Sequence, residues 1–308
     1  MNVMNKKYTI ATVAKVTGGV AWFERMQEGC RKFGSASGHN TFLVGPPKAD
    51  EHLQAQIIEE LIRQGVDALC VVPVSPQAVE MVLSKARRQG IIVITHEAAT
   101  QQNADYDIEA FDNAAYGMHL MDQLAKYMGA AGEYAVFVGS LTSASHTEWV
   151  GSAITYQKEK YPGMGMVTRR IEDHDDQTIA YEKTKELLKT FPHLKGIQGS
   201  AMSTVPGAGR VVEEEGLQDQ VAVVGTSFAS ACRRYLESGA VKLISFWDPA
   251  DAGYVMNTLA VMVLQDQHIT DGMNLGIPGY TQLRMVGKVL YGSAWIDVTK
   301  ANLAEYNF

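Results

Sequence analysis

The segment Ala68-Leu-Cys-Val-Val72, a helical pattern over Gln77–Gln89 and the segment Ile91-Ile-Val-Ile-Thr95 together decide the fold. Two short β-branched runs joined by an amphipathic stretch form a strand–helix–strand unit, and such units imply parallel strands buried on both faces. The pattern continues on either side. Toward the N-terminus, Tyr8–Ala14 and Thr41–Val44 read as strands. Val20–Phe33 reads as a helix with Trp22, Met26, Cys30 and Phe33 on one stripe, and Asp50–Gln64 as a helix through Leu53, Ile57, Ile58, Leu61 and Ile62. Toward the C-terminus the series restarts with a helix over Ala114–Met128 and a strand at Tyr134–Val138. A helix near Thr147–Lys160, a strand Met166–Ile171 and a helix Gln177–Thr190 follow. Then come strand Gly196–Gln198, helix Val205–Glu215, strand Val221–Val224, helix Ala229–Glu237 and strand Val241–Phe246.

Two ladders of similar size predict an α/β protein with two doubly wound parallel-sheet domains and a seam near Phe111-Asp112-Asn113. No Gly/Ser- or Pro-rich linker marks that seam, so a short hinge is expected rather than a tether. A long helix from Ala250 to about Gln265, a Gly-rich loop Asp271–Gly279 and the strand-like pieces Thr281–Val286 and Val289–Tyr291 come after both ladders. The chain is therefore expected to cross from domain to domain more than once. Parallel sheets open at the carboxyl ends of their strands, and a ligand is expected there, between the two domains.

Composition narrows the function. The 308 residues suffice for two domains, and 46% hydrophobic with 20% charged residues excludes wholesale disorder. The net charge is −7 and no basic run exceeds a pair, so nucleic acid is not an expected partner. The longest apolar stretches, such as Ile91 to Ile94, are far shorter than the roughly 20 residues that span a bilayer. Met1–Lys7 is short and polar, without the apolar core of about 7–15 residues that a secretory signal needs. On that reading the protein is cytoplasmic or has lost its signal. Cys30, Cys70 and Cys232 are an odd, widely spaced set without a CxxC pair, best read as buried thiols.

No GxGxxG after a strand, GxxxxGK[ST], GxSxG or HExxH occurs, so catalytic residues, a cofactor and a metal are not expected. What stands out is a set of polar and aromatic residues at the carboxyl ends of the expected strands. Lys15, Trp22 and Phe23 follow the first strand, and His96 and Glu97 follow Ile91–Thr95. Asp112 and Asn113 sit at the seam; Ser145, His146 and Trp149 follow Tyr134–Val138. Met202, Ser203 and Pro206 follow Gly196–Gln198, Ser227 and Phe228 follow the strand ending at Val224, and Trp247 and Asp248 follow Val241–Phe246. A polyhydroxylated ligand needs such groups, because ionised partners make short hydrogen bonds to hydroxyls and the C–H face of a sugar packs on an aromatic plane. Each has a plainer reading. Trp22 shares a stripe with Met26 and Phe33 and could be core; Asp248 before Pro249 could be only a helix cap; His96-Glu97 could be a surface ion pair. Asp173, His174, Asp175 and Asp176 lack metal-ligand spacing and read as a solvated helix start.

On those residues the chain resembles a type I periplasmic sugar-binding protein of an ABC importer, nearest to the autoinducer-2-binding and rhamnose-type subgroup. The stretches that carry the resemblance are Ile10-Ala-Thr-Val-Ala-Lys15 with Trp22-Phe23, Pro206-Gly-Ala208, Val223-Val-Gly-Thr-Ser227 and Phe246-Trp-Asp248-Pro, with the tail from Thr299 to Phe308. The resemblance implies two lobes joined by a multi-stranded hinge, residues 1–111 with about 249–286 and residues 112–248 with about 287–308. It implies that Lys15, Trp22, Phe23, Glu97, Trp247 and Asp248 meet the ligand, and that Pro206 and Ala208 form a turn whose backbone faces it.

The further implications are a monomer that closes on its sugar or polyol and hands it to permease subunits. The expected location is the periplasm, or a lipid-anchored extracellular form in a Gram-positive host. Where autoinducer-2 binders carry an Asp-Gln pair, this chain has Ser145-His146. An unmatched buried hydroxyl costs about 1–3 kcal/mol, so a monosaccharide, deoxy-sugar or polyol is the expected ligand and autoinducer-2 the alternative. A sugar-modifying enzyme using Glu97 and Asp248, and the effector domain of a lactose-repressor-type regulator, are the remaining readings; only seven residues precede Tyr8, too few for a DNA-binding segment.

Overall fold

Local chemistry sets the limits of the first helices. Asp50 accepts from the backbone N–H of Leu53 at 2.9 Å, and Gly65 ends the same helix in the left-handed conformation at φ 72°. Ser75 caps the next helix just ahead of Pro76, whose fixed φ suits a first turn. The computed structural model describes residues 6–17 and 19–308; the polar start read above lies outside the described residues as far as residue 5.

The elements run β1 (Thr9–Val13), α1 (Ala21–Ser37), β2 (Asn40–Val44), α2 (Glu51–Gln64), β3 (Ala68–Val71), α3 (Pro76–Arg88), β4 (Ile92–Thr95) and β5 (Tyr106–Glu109). Next are α4 (Asn113–Met128), β6 (Gly132–Val138), α5 (Ala144–Lys160), β7 (Met164–Met166), β8 (Ile171–Glu172), α6 (Gln177–Thr190), β9 (Leu194–Gly199), α7 (Thr204–Glu214), β10 (Ala222–Thr226), α8 (Ala229–Ser238) and β11 (Leu243–Phe246). The chain ends with α9 (Pro249–Leu264), β12 (Arg284–Val286), β13 (Val289–Tyr291) and β14 (Ile296–Val298).

These elements divide into two units. Unit 1 holds the residues to Asp112 and Trp247–Ala294; unit 2 holds Asn113–Phe246 and Trp295–Phe308, so the chain passes from one to the other three times. The unit 1 sheet has the order β12-β13-β5-β4-β3-β1-β2, parallel except for β12. One face is covered by α2 and α3, whose Ile58, Leu61, Val79 and Leu83 pack on Val13, Leu69, Val71 and Val93. The other face is covered by α1 and α9. The unit 2 sheet has the order β14-β11-β10-β9-β6-β7, with β8 also on β6, and only β14 runs antiparallel. Here Met121, Leu124 and Met128 of α4 and Val150 and Ala153 of α5 pack on Val136, Val138 and Val224. Both units are doubly wound α/β sheets, as the periodicity predicts.

In each unit one helix pair approaches backbone to backbone. A methyl group at Gly29 of α1 would lie 1.8 Å from the carbonyl oxygen of Ala250 in α9, and one at Gly117 of α4 would lie 2.1 Å from that of Trp149 in α5. Both contacts fall beside residues singled out above.

The structure corrects several expectations. Tyr106-Asp-Ile-Glu109 is a strand that alternation does not reveal, because half of it is acidic. Asp107 is nonetheless fully buried, where it accepts from Thr95 at 2.6 Å and burial pushes its carboxyl up. Met166–Ile171 is two short strands that pair with opposite ends of β6. Residues 287–294 belong to unit 1 rather than to the second lobe, since β13 runs parallel to β5. Trp247 and Asp248 likewise open the last helix of unit 1. The three cysteines are buried and unpaired, and burial pushes the Cys30 thiol up to about 11 and that of Cys232 to about 12. Among the described residues no helix is long and apolar enough to cross a membrane.

Gly→Ala inside a helix ordinarily stabilises. Gly29→Ala and Gly117→Ala are expected to do the opposite, by about 1–3 kcal/mol each, lowering the thermal midpoint by several degrees. An unchanged or raised midpoint would show that the helices separate without cost.

Candidate functional site

In unit 1 the carboxyl ends of β1 and β4 bring a cation and an anion together. Lys15 lies two residues past β1 and Glu97 two past β4, and the Lys15 Nζ donates to Glu97 Oε2 at 2.5 Å, with 27% and 10% of the two side chains exposed. Glu97 adopts φ 56°, a left-handed conformation that costs a non-glycine residue on the order of 1–3 kcal/mol. His96, just before it, is no surface partner: it is 1% exposed. Its Nδ1 lies 2.5 Å from the Ile108 carbonyl and therefore carries the proton, while Nε2 stands 4.0 Å from Glu97 Oε1.

Through His96 the pair connects to an aromatic cluster. The Trp247 ring meets Trp22 edge to face at 4.6 Å and 77°, Phe111 at 5.1 Å and His96 at 6.2 Å. Both tryptophans are buried and pack against one another as a wall. Asp248 follows Trp247 and does cap α9, accepting from the Ala250 N–H at 2.8 Å. It also accepts from Arg25 twice, Nε to Oδ1 at 2.9 Å and Nη2 to Oδ2 at 2.7 Å. Arg25 was missed by the sequence reading; the available signal was its place one helical turn after Trp22.

Phe23 lines a cavity of about 320 Å³ with Thr17, Glu24, Gln27, Leu43, Val44 and Gly45. Asp112, the last residue of unit 1 before the first crossing, accepts from Arg284 of β12 at 2.6 Å.

In unit 2 the start of α5 lies past the carboxyl end of β6. Ser145 is buried, and His146 Nδ1 accepts from the Gly139 N–H at 3.2 Å with its ring 5.2 Å from Trp149. The Trp149 indole N–H donates to Asn113 Oδ1 at 2.6 Å, and Tyr116 meets its ring at 5.0 Å. Tyr116 is in turn anchored by donating to the Ser245 carbonyl at 2.7 Å. Trp149 is 2% exposed, so its indole is fixed by its own unit. Ser227 is buried and donates to the Met202 carbonyl at 3.0 Å.

Two readings are corrected here. Pro206 and Ala208 lie inside α7, not in a turn, and both are buried. Pro206 sits in the first turn, where a missing N–H breaks no helical hydrogen bond. Asp173 is not solvated but fully buried, accepting from the Thr204 hydroxyl and, at 3.1 Å, from the Asp175 N–H. Burial pushes its carboxyl up to about 6, against the opposing hydrogen bond from Thr204. His174 and Asp175 both have φ 55°, so the turn that buries Asp173 is strained. Among the described residues no group of three or more His, Cys, Asp or Glu side chains is placed to hold a metal ion.

Asp173 gives a pH signature. Its folded-state value lies above that of a free carboxylate, so the folded protein holds the proton more tightly and stability falls as pH rises from about 4 to 6, then levels. Asp173→Asn removes that penalty. Its stability relative to wild type is expected to climb from pH 4 to pH 7 by on the order of 2 kcal/mol, read by denaturant unfolding; a pH-independent difference would mean that Asp173 ionises freely in the fold.

Comparison with known proteins gives the same fold. Residues 10–268 match the family model described as periplasmic binding protein domain. The D-allose-binding periplasmic protein of Escherichia coli is 24% identical over 252 residues, covering 79% of this chain and 80% of that protein. A solute-binding protein of an ABC transporter from Clostridium phytofermentas, solved with bound L-rhamnose, superposes with a TM-score of 0.86 at 20% identity over 98% of each chain. A protein from Clostridium saccharobutylicum solved in complex with AI-2 has a TM-score of 0.84 at 19% identity, over 97% of this chain and all of that one.

Proposed function

This chain belongs to the periplasmic binding protein family, and from that premise we propose that it is the solute-binding component of an ABC importer for a neutral monosaccharide, deoxy-sugar or polyol. The observation that carries the reading is the Lys15–Glu97 pair beside the Trp22–Trp247 wall at the carboxyl ends of the unit 1 strands. A sugar hydroxyl both donates and accepts, and this pair offers it a donor and an acceptor side by side. The tryptophans supply the apolar surface that a ring's C–H groups need. Unit 2 carries its own cluster with Ser145 and His146, where the subgroup that binds autoinducer-2 has a carboxylate and an amide.

Ion pairing supports capture over chemistry. Glu97 is held by Lys15 and Asp248 by Arg25, so both carboxylates of the enzyme alternative are committed to cations. A ligand that binds one arrangement of the chain better than another shifts the population toward it, and a permease partner that reads that arrangement would receive the sugar. The family supports a periplasmic or extracellular location.

Thermal unfolding of protein freed of ligand by unfolding and refolding tests the reading. A panel of D-allose, D-ribose, L-rhamnose, D-arabinose, xylitol and autoinducer-2 is expected to give one or two hits among the sugars and polyols. A ligand at 100 times its Kd stabilises by about 2.7 kcal/mol, a shift of several degrees. A hit with autoinducer-2 alone would replace the sugar reading, and a panel without any shift would overturn it. With the hit in hand, Lys15→Ala in unit 1 and His146→Ala in unit 2 are each expected to weaken binding at least tenfold by calorimetry. Unchanged affinity would remove that residue from the site.

A further inference from the structure

One stripe of α1 engages three nearly successive positions of the chain entering α9. Trp22 meets the Trp247 ring, Arg25 holds the Asp248 carboxylate, and Gly29 lies against the Ala250 carbonyl. Residues 22, 25 and 29 share one helix face, spaced by three and four. The middle contact is of a different kind from the other two. The guanidinium presents two N–H groups to the two carboxylate oxygens at 2.9 and 2.7 Å, and its Nη1 donates to Glu28 at 2.7 Å, which holds the fork against rotation. Asp248 is at the same time the cap of α9. The direction of the dipeptide Trp247-Asp248 is thus set at Asp248 by a charged clamp and a helix cap together. The Arg25 side chain is 31% exposed, and exposed ion pairs contribute little to stability; a planar two-point grip does fix geometry.

We propose that Arg25 is a positioning residue of the unit 1 cluster, holding Asp248 so that the Trp247 ring stays edge-on to Trp22 and against His96, the neighbour of Glu97. Its functional meaning rests on the sugar-binding reading, because the wall it orients is the surface that reading assigns to the ligand. Arg25 acts through Asp248 and touches no ligand in this scheme.

The test compares wild type with Arg25→Gln, Asp248→Asn and the double variant. Asn keeps the helix cap while removing the charge. Arg25→Lys keeps the charge without the fork, and far-ultraviolet circular dichroism checks that all are folded. The first measurement needs no sugar: the tryptophan bands of the near-ultraviolet circular dichroism report the Trp22–Trp247 geometry. Arg25→Gln, Arg25→Lys and Asp248→Asn are each expected to weaken those bands to a similar extent, and the double variant no further. The second measurement is calorimetry with D-allose and L-rhamnose as probes. For whichever binds wild type, each single variant is expected to lose at least tenfold in affinity, with less than a further twofold in the double variant. Unaltered tryptophan bands in Arg25→Gln would overturn the proposal, as would losses that add in the double variant or full rescue by Arg25→Lys. If neither probe binds wild type and the wider panel is also silent, the sugar reading fails, and the circular dichroism still decides whether Arg25 positions Trp247.

Discussion

At Gly29 the backbone of α1 lies so close to Ala250 that no Cβ could stand there, and at Gly117 α4 meets Trp149 of α5 in the same way. Close-packed interiors leave no slack for a side chain at such a contact. Each approach sets a second helix against a sheet face with no room for a side chain between, and each places a tryptophan near the carboxyl edge of its sheet. In unit 1 the delivered residue is Trp247 with Asp248 beside it; in unit 2 it is Trp149, with His146 one turn before it. The polar contacts that follow, Arg25 to Asp248 and Trp149 to Asn113, refine positions that the helix contacts have already limited.

The alternation of apolar runs and amphipathic stretches was enough to read nearly every helix and the central strands, because both report burial through spacing alone. Spacing failed where burial and polarity disagree. Strand β5 carries Asp107 and Glu109, and β14 is three residues with Asp297 at its centre, so neither shows an apolar run. The same disagreement hid Asp173, an acidic residue among acidic neighbours whose burial depends on a strained turn and the Thr204 hydroxyl. The candidate site was legible as a list of strand-end residues but not as an arrangement. Which tryptophan edges meet, and that Asp248 answers to Arg25, follow from helix packing across more than 200 residues of sequence.

The clusters in the two units share a feature that bears on the proposed recognition. Their polar groups already have partners within their own unit: Lys15 with Glu97, Asp248 with Arg25, Trp149 with Asn113 and Ser227 with the Met202 carbonyl. Side chains held in this way lose little further freedom when a ligand arrives, which favours affinity from small contact areas. The cost is selectivity against ligands that would need those groups to turn.

The triple passage of the chain has a consequence for how the molecule is made. Unit 1 lacks the helix that covers one face of β1, β3 and β4 until α9 has been synthesised, and its sheet lacks β13 until residue 291. Unit 2 in turn waits for β14 at residues 296–298 to complete its edge. Contacts this distant in sequence form slowly, because a long loop must close before they contribute. Neither sheet can therefore be completed until these late segments have left the ribosome. During that interval the face of α1 that packs on α9 and the strand edges that β13 and β14 occupy are left uncovered.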